Sequence, residues 1–306
     1  VAVLMAALCF GTTGTSRELA DIDGSSLSVG MARIVLGGAL LALCAWWTTR
    51  RGVAPGTPPP VPGDTTRPRV IDRVPLAAVV VVGALGVLAY QPTFFLGTSS
   101  EGVAVGTVVA LGSAPVFTGL LDAGLRGERP TPRWCVATAL ALVGVGMIAG
   151  LTGAGAATGA GVAWSLGAGA SYAVYAVASK ELLDRGRTPA RAMGELFGGA
   201  ALGALPVLVL TDLRWLASGG GIALAVWLGV VTTAAAYLLF GWGLARLRAS
   251  TVATLTLAEP LCATLLGIGV LGERLDATAG SGLLVLTSGL VLLASPGRGR
   301  RVAVAA

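Results

Sequence analysis

Charged residues divide this chain into long apolar stretches, with no charge at all over 74–100, 102–121, 134–179, 215–245 and 277–297. A helix rising about 1.5 Å per residue needs about 20 apolar residues to cross a hydrocarbon core about 30 Å thick. Each stretch is therefore one crossing or two. Apolar length and breaker residues together predict ten helices, at about 1–17, 27–49, 74–96, 102–122, 132–150, 160–182, 190–211, 220–243, 250–271 and 277–295. The expected fold class is an all-α polytopic membrane protein. The first span lacks the charged n-region and small-residue cleavage site of a signal peptide, so it is read as a permanent helix.

Composition sharpens this picture. Of 306 residues, 55% are hydrophobic and 12% charged, about half the charged share of roughly 25% in soluble domains. A soluble globular enzyme is excluded as the default. The formal charge is +6, but the cations sit in loops between apolar runs instead of clustering with aromatics on one face. Their expected partner is the anionic inner face of a lipid bilayer, not nucleic acid. Cys9, Cys44, Cys135 and Cys262 form no C-x-x-C pair and histidine is absent. Metal sites, haem and imidazole triads are therefore not expected, and no cofactor is implied.

The basic residues also orient the spans. Seventeen of the 21 Lys and Arg fall in loops after even-numbered helices or in the tail 296–306, against Arg17, Arg214 and Arg274 in the other loops and Arg33 inside a span. This asymmetry predicts both termini in the cytoplasm. The loop 50–73 and its flanks hold seven of the fifteen prolines and read as an extended cytoplasmic linker. The uncharged Gly/Ala/Thr stretch at 150–161 reads as the junction of two halves.

A shift of 145 residues superimposes Pro115 on Pro260 and Gly127-Glu128-Arg129 on Gly272-Glu273-Arg274 without a gap. It also matches Phe95 with Phe240, Ala104 with Ala249, Leu120 with Leu265, Gly124 with Gly269 and Gly144 with Gly289. The chain is thus read as two five-helix units, 1–150 and 159–295. Five is odd, so the second unit enters the bilayer from the opposite side. Inverted repeats enclosing a midplane site are a recurring design of secondary transporters.

The paired five-helix units, the Pro and Gly-Glu-Arg pattern in both halves, Glu259-Pro260 in the ninth helix and Gly11-Thr12-Thr13-Gly14-Thr15 in the first resemble the EamA family of the drug/metabolite transporter superfamily. The similarity runs from Val1 to about Ser295. A family member normally carries a few residues before its first helix, and this chain starts within it. The resemblance implies a ten-helix carrier of the bacterial plasma membrane, usually an exporter of amino acids, other metabolites or toxic compounds.

Several residues are candidates for the transport site. Glu259 lies about ten residues into its span, where an ionisable group costs at least about 2.5 kcal/mol and is expected to face a polar cavity, as a coupling group for protons or as a bond to a neighbouring helix. Pro260 removes a backbone donor and is expected to free the Thr256 carbonyl; Pro115 is its repeat mate as a helix kink. Arg33 and Glu195 occupy similar repeat positions but lie toward opposite faces, so each is expected to snorkel or gate its own side. Tyr90 and Gln91 in helix three, Trp164, Tyr172 and Tyr175 in helix six, and Tyr237 and Trp242 in helix eight are candidates for an aromatic box around the solute, or else for lipid contact. Trp46, Trp47 and Trp215 fit the interfacial belt. Thr12, with Thr13 and Thr15, could offer hydroxyls to the cavity or bond its own backbone.

Asp23-Gly24 with Ala32-Arg33 faintly resembles a phosphatidyltransferase pattern, a polytopic enzyme of lipid metabolism, but the spacing and two later aspartates are missing. A channel or scaffold would more naturally show rings of like residues from symmetric subunits, and a homodimer remains an open arrangement. No nucleotide-binding G-x-x-x-x-G-K-[ST] occurs, so the energy source is expected to be a gradient.

Overall fold

The computed structural model describes residues 1–52, 69–150, 159–272 and 276–295. Most of the proline-rich loop, most of the junction at 150–161, the Glu273-Arg274 pair and the 296–306 tail lie outside the described residues. Among the described residues the chain is helical throughout its regular structure, with no strand. The main helices are α1 (Ala2–Ala20), α2 (Ser26–Arg50), α3 (Leu76–Glu101), α4 (Val103–Leu125), α5 (Pro132–Ile148), α6 (Gly159–Asp184), α7 (Pro189–Val209), α8 (Gly219–Leu244), α9 (Ala249–Leu271) and α10 (Ala277–Ala294).

Seven of these, α2, α3, α4, α7, α8, α9 and α10, are long and apolar enough to cross a membrane. Helix α5 is apolar but has 17 residues. Helix α1 ends in the polar sequence Gly-Thr-Thr-Gly-Thr-Ser-Arg-Glu, and α6 is rich in Gly, Ala and Ser and closes on Lys180, Glu181 and Asp184. Their hydropathy is correspondingly lower than the ten-span pattern anticipated.

Local sequence sets the helix starts. Ser25, Thr131, Thr188, Ser218 and Asp276 accept from backbone N–H groups in the first turns of α2, α5, α7, α8 and α10, satisfying donors that have no helical partner. Pro132 and Pro189 follow two of these caps, where a missing N–H costs nothing. At Gly102, with φ +81°, α3 gives way directly to α4.

Packing pairs helices of the first half of the chain with helices of the second. Helix α2 lies antiparallel to α7: a β-carbon at Gly38 would meet Ala201 at 2.9 Å, one at Gly198 would meet Ala42 at 3.0 Å, and one at Gly194 would meet the Leu41 carbonyl at 2.7 Å. Helix α5 lies antiparallel to α10, with Gly289 against Ala137 and Ala141, and Gly282 against Gly144 and Ile148. These approaches depend on the missing side chains, the usual means by which helices gain dispersion contact in lipid. Helix α3 packs along α6, and α1 along α8; α4 also packs on α6, and α1 on α9.

Candidate functional site

The site is assembled where two helices depart from regular geometry. Helix α9 is made of two pieces, Ala249–Leu255 and Ala258–Leu271, separated at Thr256–Leu257. There the bonding tightens to three-residue steps: Leu257 N–H donates to the Thr254 carbonyl at 3.1 Å, and Glu259 N–H donates to the Thr256 carbonyl at 2.8 Å. The Thr256 carbonyl is therefore occupied and not free, which corrects the expectation drawn from Pro260. By contrast α4 runs on through Pro115 as one helix. In α8 the residues Val230–Ala235 form a π-turn, a feature common at functional sites.

Arg33 does not snorkel toward its own face, contrary to expectation. Its Nε donates to Thr233 Oγ1 at 3.0 Å and its Nη2 to the Thr232 carbonyl at 3.1 Å, so it turns inward onto the π-turn of α8. A guanidinium drawn partly out of water is costly unless its donors are used, and this half-buried one uses two of them here. From there it is within electrostatic reach of Glu259, although the two form no ion pair. The Glu259 carboxylate bonds no described side chain.

Three of the predicted tyrosines converge on the same place. Tyr90 of α3 and Tyr237 of α8 are each within electrostatic reach of both Arg33 and Glu259, and Tyr172 of α6 is within reach of Glu259, Tyr90 and Tyr237. The Tyr172 hydroxyl pairs with Thr256 Oγ1 at 2.8 Å, and the Tyr175 hydroxyl pairs with that of Tyr237 at 3.2 Å. Phe10, Phe197 and Phe240 complete an aromatic wall around Tyr237 at centroid distances of 5.1, 4.0 and 5.8 Å. Arg33, Tyr90, Tyr237 and Glu259 are each half-buried and come from four helices.

The structure is similar to a solved crystal structure with a TM-score of 0.74 over 96% of this chain and 95% of that one, at 20% identity, which bears on the fold alone. A family model, that of the EamA-like transporter family, matches residues 1–150 and 159–295. The chain belongs to the EamA-like transporter family. Among curated relatives it is 34% identical to an uncharacterized transporter, YwfM, of Bacillus subtilis, over 99% of this chain and 96% of the relative. It is 32% identical to a probable terminal-alkyne amino-acid exporter of Streptantibioticus cattleyicolor, over 78% and 79% of the two chains. Membrane-crossing helices and transporter relatives agree: this is a multi-pass membrane protein of a transporter family.

The other predicted residues of this EamA-like transporter lie outside the tyrosine cluster. Gln91 is buried against Gly30 of α2. Trp164 is exposed, and exposed Trp242 stacks under Arg246 at 3.5 Å. The Thr12 hydroxyl donates to the Cys9 carbonyl at 2.7 Å and accepts from Trp227 Nε1 at 3.0 Å. Glu195 pairs with Arg191 and Arg187 at 2.9 and 3.3 Å near the start of α7. Trp46 and Trp47 are exposed under Arg50 and Arg51, but Trp215 is buried and donates to Ser28 at 2.8 Å, so it does not belong to the belt.

Sequence reasoning also missed a buried ionic cluster at the arginine-rich end of this transporter. Arg126, whose side chain is fully buried, pairs with Glu181 at 2.7 Å, Glu128 at 3.2 Å, Asp122 at 3.6 Å and, closely, Asp184. Lys180 and Arg185 add bonds to Asp184 and Glu181 at 3.0 and 2.6 Å. Burial opposes the Arg126 charge, but the surrounding carboxylates outweigh it and hold the guanidinium above its usual pKa. The i,i+4 spacings of Asp122/Arg126, Lys180/Asp184 and Glu181/Arg185 are the signal in the sequence that could have found the cluster.

At the opposite end, α1 and α9 flank a cavity of about 700 Å³ lined by Gly14, Thr15, Glu18, Ala263, Thr264, Gly267 and Leu271. Ala263 is one helical turn beyond Glu259. A second cavity of about 470 Å³, mostly apolar, lies between α1 and α8 beside Thr12 and Trp227.

Proposed function

We propose that this EamA-like transporter is a ten-span secondary carrier, built as inverted five-helix halves at 1–150 and 159–295, that exports small zwitterionic metabolites such as amino acids across the bacterial plasma membrane. The arginine-rich end and both termini face the cytoplasm in this reading. Energy comes from an ion gradient, with Glu259 as the proton-coupling group.

The observation that carries the reading is that Arg33 and Glu259, opposite in charge yet not paired, lie within electrostatic reach of each other and of Tyr90 and Tyr237. A solute bearing a carboxylate and an ammonium would complete both groups at once, the first on Arg33 and the second on Glu259. The tyrosine faces would cover its apolar part and also favour the ammonium. The relative named as an amino-acid exporter supports the same solute class.

Inverted symmetry is supported by the packing. Exchanging the units maps α2 onto α7 and α5 onto α10, and both pairs are antiparallel. The same exchange turns the α3–α6 contact into α8–α1 and the α4–α6 contact into α9–α1, all of which occur. Gly169 sits against Ala110 and Ala114 much as Gly11 sits against Glu259 and Ala263, and Ala114 is the repeat mate of Glu259. Alternating access follows when the halves exchange their conformations.

Counterflow in proteoliposomes, with each of the common L-amino acids as trans solute, tests the proposal. Trans-stimulated uptake of at least one labelled amino acid is expected. A flux without trans-stimulation would mark a pore, and its complete absence across the panel would remove the amino-acid assignment.

A further inference from the structure

We propose that Asp122 is a positioning residue for transport, and that the ionic cluster around Arg126 is a cytoplasmic gate that opens when the Ala249–Leu255 piece of α9 swings about Thr256–Leu257. This rests on the carrier reading given above and adds to it the moving part.

The first support is how that piece is held. Asp122 Oδ2 on α4 accepts from Ser250 N–H at 2.8 Å, so the exposed donors at the start of α9 are capped by a carboxylate from another helix. Trp134 Nε1 on α5 donates to the Ser250 carbonyl at 3.0 Å, and Arg248 pairs with Glu128 at 3.3 Å. All three clasps come from the first unit. At its far end the piece meets the three-residue bonding steps of Thr256–Leu257, and Pro260 beyond offers no donor to restore regular helix. A segment clasped at one end and jointed at the other can swing as a unit, and Glu259 lies just past the joint.

The second support is that the closed cluster is incompletely satisfied. Asp122 Oδ1 and Arg126 Nε face each other at 3.6 Å, within ion-pair range but beyond a hydrogen bond, and both are buried without a hydrogen-bond partner. Buried polar groups left this way weaken the closed state against alternatives that let water in.

The third is the contrast between the ends. The 145-residue shift places Ala263, Thr264, Gly267 and Leu271 on Thr118, Gly119, Asp122 and Arg126. Those four second-unit residues line the 700 Å³ cavity, whereas Thr118, Asp122 and Arg126 are buried in the closed cluster. The same surface is thus sealed by charge in one unit and open in the other, the arrangement of a carrier closed to the cytoplasm and open outward.

The test uses the full chain with Cys9, Cys44, Cys135 and Cys262 replaced by Ala, carrying one reporter at a time. Ala253→Cys lies in the swinging piece and is buried; Thr15→Cys lines the opposite cavity. Labelling by a membrane-impermeant maleimide is followed from the cytoplasmic side for the first and from the opposite side for the second. Asp122→Asn is expected to speed labelling of Ala253→Cys at least tenfold and to slow that of Thr15→Cys at least threefold, with Asp122→Glu restoring both toward the parent rates. If Asp122→Asn does not yield folded protein, Trp134→Phe, which removes the bond to the Ser250 carbonyl and leaves the Asp122 cap in place, is expected to move both rates in the same directions by a smaller factor. Rates within twofold of the parent, or a rise at both reporters as general loosening would give, overturn the gate. Counterflow on the parent separates the outcomes: trans-stimulation with unmoved reporters sinks the gate alone, whereas its absence sinks the carrier reading.

Discussion

Arg33 holds Thr233 by its Nε at 3.0 Å, so the cation facing Glu259 is fixed by the π-turn of α8 and not by a carboxylate. This leaves its charge available to a solute while its position is determined by two helices at once.

Arg33→Lys removes that forked geometry and keeps the charge. Hydrogen bonds to charged groups are each worth about 1.5–3 kcal/mol, and 1.4 kcal/mol is about tenfold in affinity. A rise of about tenfold or more in counterflow KM is expected, with the folded yield unchanged by size-exclusion chromatography. Thr233→Val should shift KM in the same direction by a smaller factor, because the Thr232 carbonyl still holds Nη2. An unaltered KM in both variants would show that the solute does not meet Arg33.

Glu259→Gln keeps the size of the side chain and removes proton exchange. With Glu259 as both the ammonium's partner and the coupling group, the variant is expected to keep counterflow at equal pH on both sides with a raised KM, and to lose uptake or efflux driven by a pH difference. Net flux that still follows the pH gradient would remove Glu259 from the coupling step.

Glu181→Leu leaves Arg126 without its 2.7 Å partner in a site where neither side chain reaches water. Breaking a buried pair from one side costs about 3–5 kcal/mol, so a clear fall in Tm of the detergent-solubilised protein is expected. Arg69→Ala, on a partly exposed partner of Asp184, should cost at most about 1 kcal/mol. Because the folded pKa of Arg126 is raised, its contribution is fully present below the unfolded value and is lost only as pH climbs through the folded one. Over about pH 6 to 9, far below the ordinary arginine value, this group gives no pH dependence of Tm; a Tm that tracked pH in the parent and not in Arg126→Leu would contradict this.

Seven of the ten expected spans are legible because apolar length is a property of sequence alone, as the uncharged run 74–100 and α3 show. Glu259 and the tyrosines could be nominated from their depth in spans, but their company could not. The inward turn of Arg33 depends on a π-turn at Thr232-Thr233, where an extra residue per turn aims both groups at α2, and no local preference of Val-Val-Thr-Thr-Ala-Ala signals it. Trp164 and Trp242 share the depth and aromatic character of Tyr172 and Tyr237 yet are exposed, since helix rotation is set by packing partners and not by aromatic content. The Arg126 cluster was hidden for a related reason: its members come from α4, α6 and the segments before α3 and α9, and only folding brings them together.

Glycine packing gives a prediction that separates close approach from mere composition. At Gly194 an added β-carbon would stand 2.5 Å from Ala45 Cβ and 2.7 Å from the Leu41 carbonyl oxygen, and that backbone atom cannot rotate away. At Gly124, inside α4, nothing lies within 4 Å. Gly194→Ala is therefore expected to force α2 and α7 apart and lower Tm, with a cost of about 1–3 kcal/mol typical of overpacking. Gly124→Ala should be neutral or stabilising by up to about 1 kcal/mol, since alanine restricts the unfolded chain and favours helix. Thermal unfolding of the two variants in the same detergent decides the matter: equal shifts would mean that α2 and α7 do not meet at Gly194, and the proposed inverted halves would lose the antiparallel pairing that supports them.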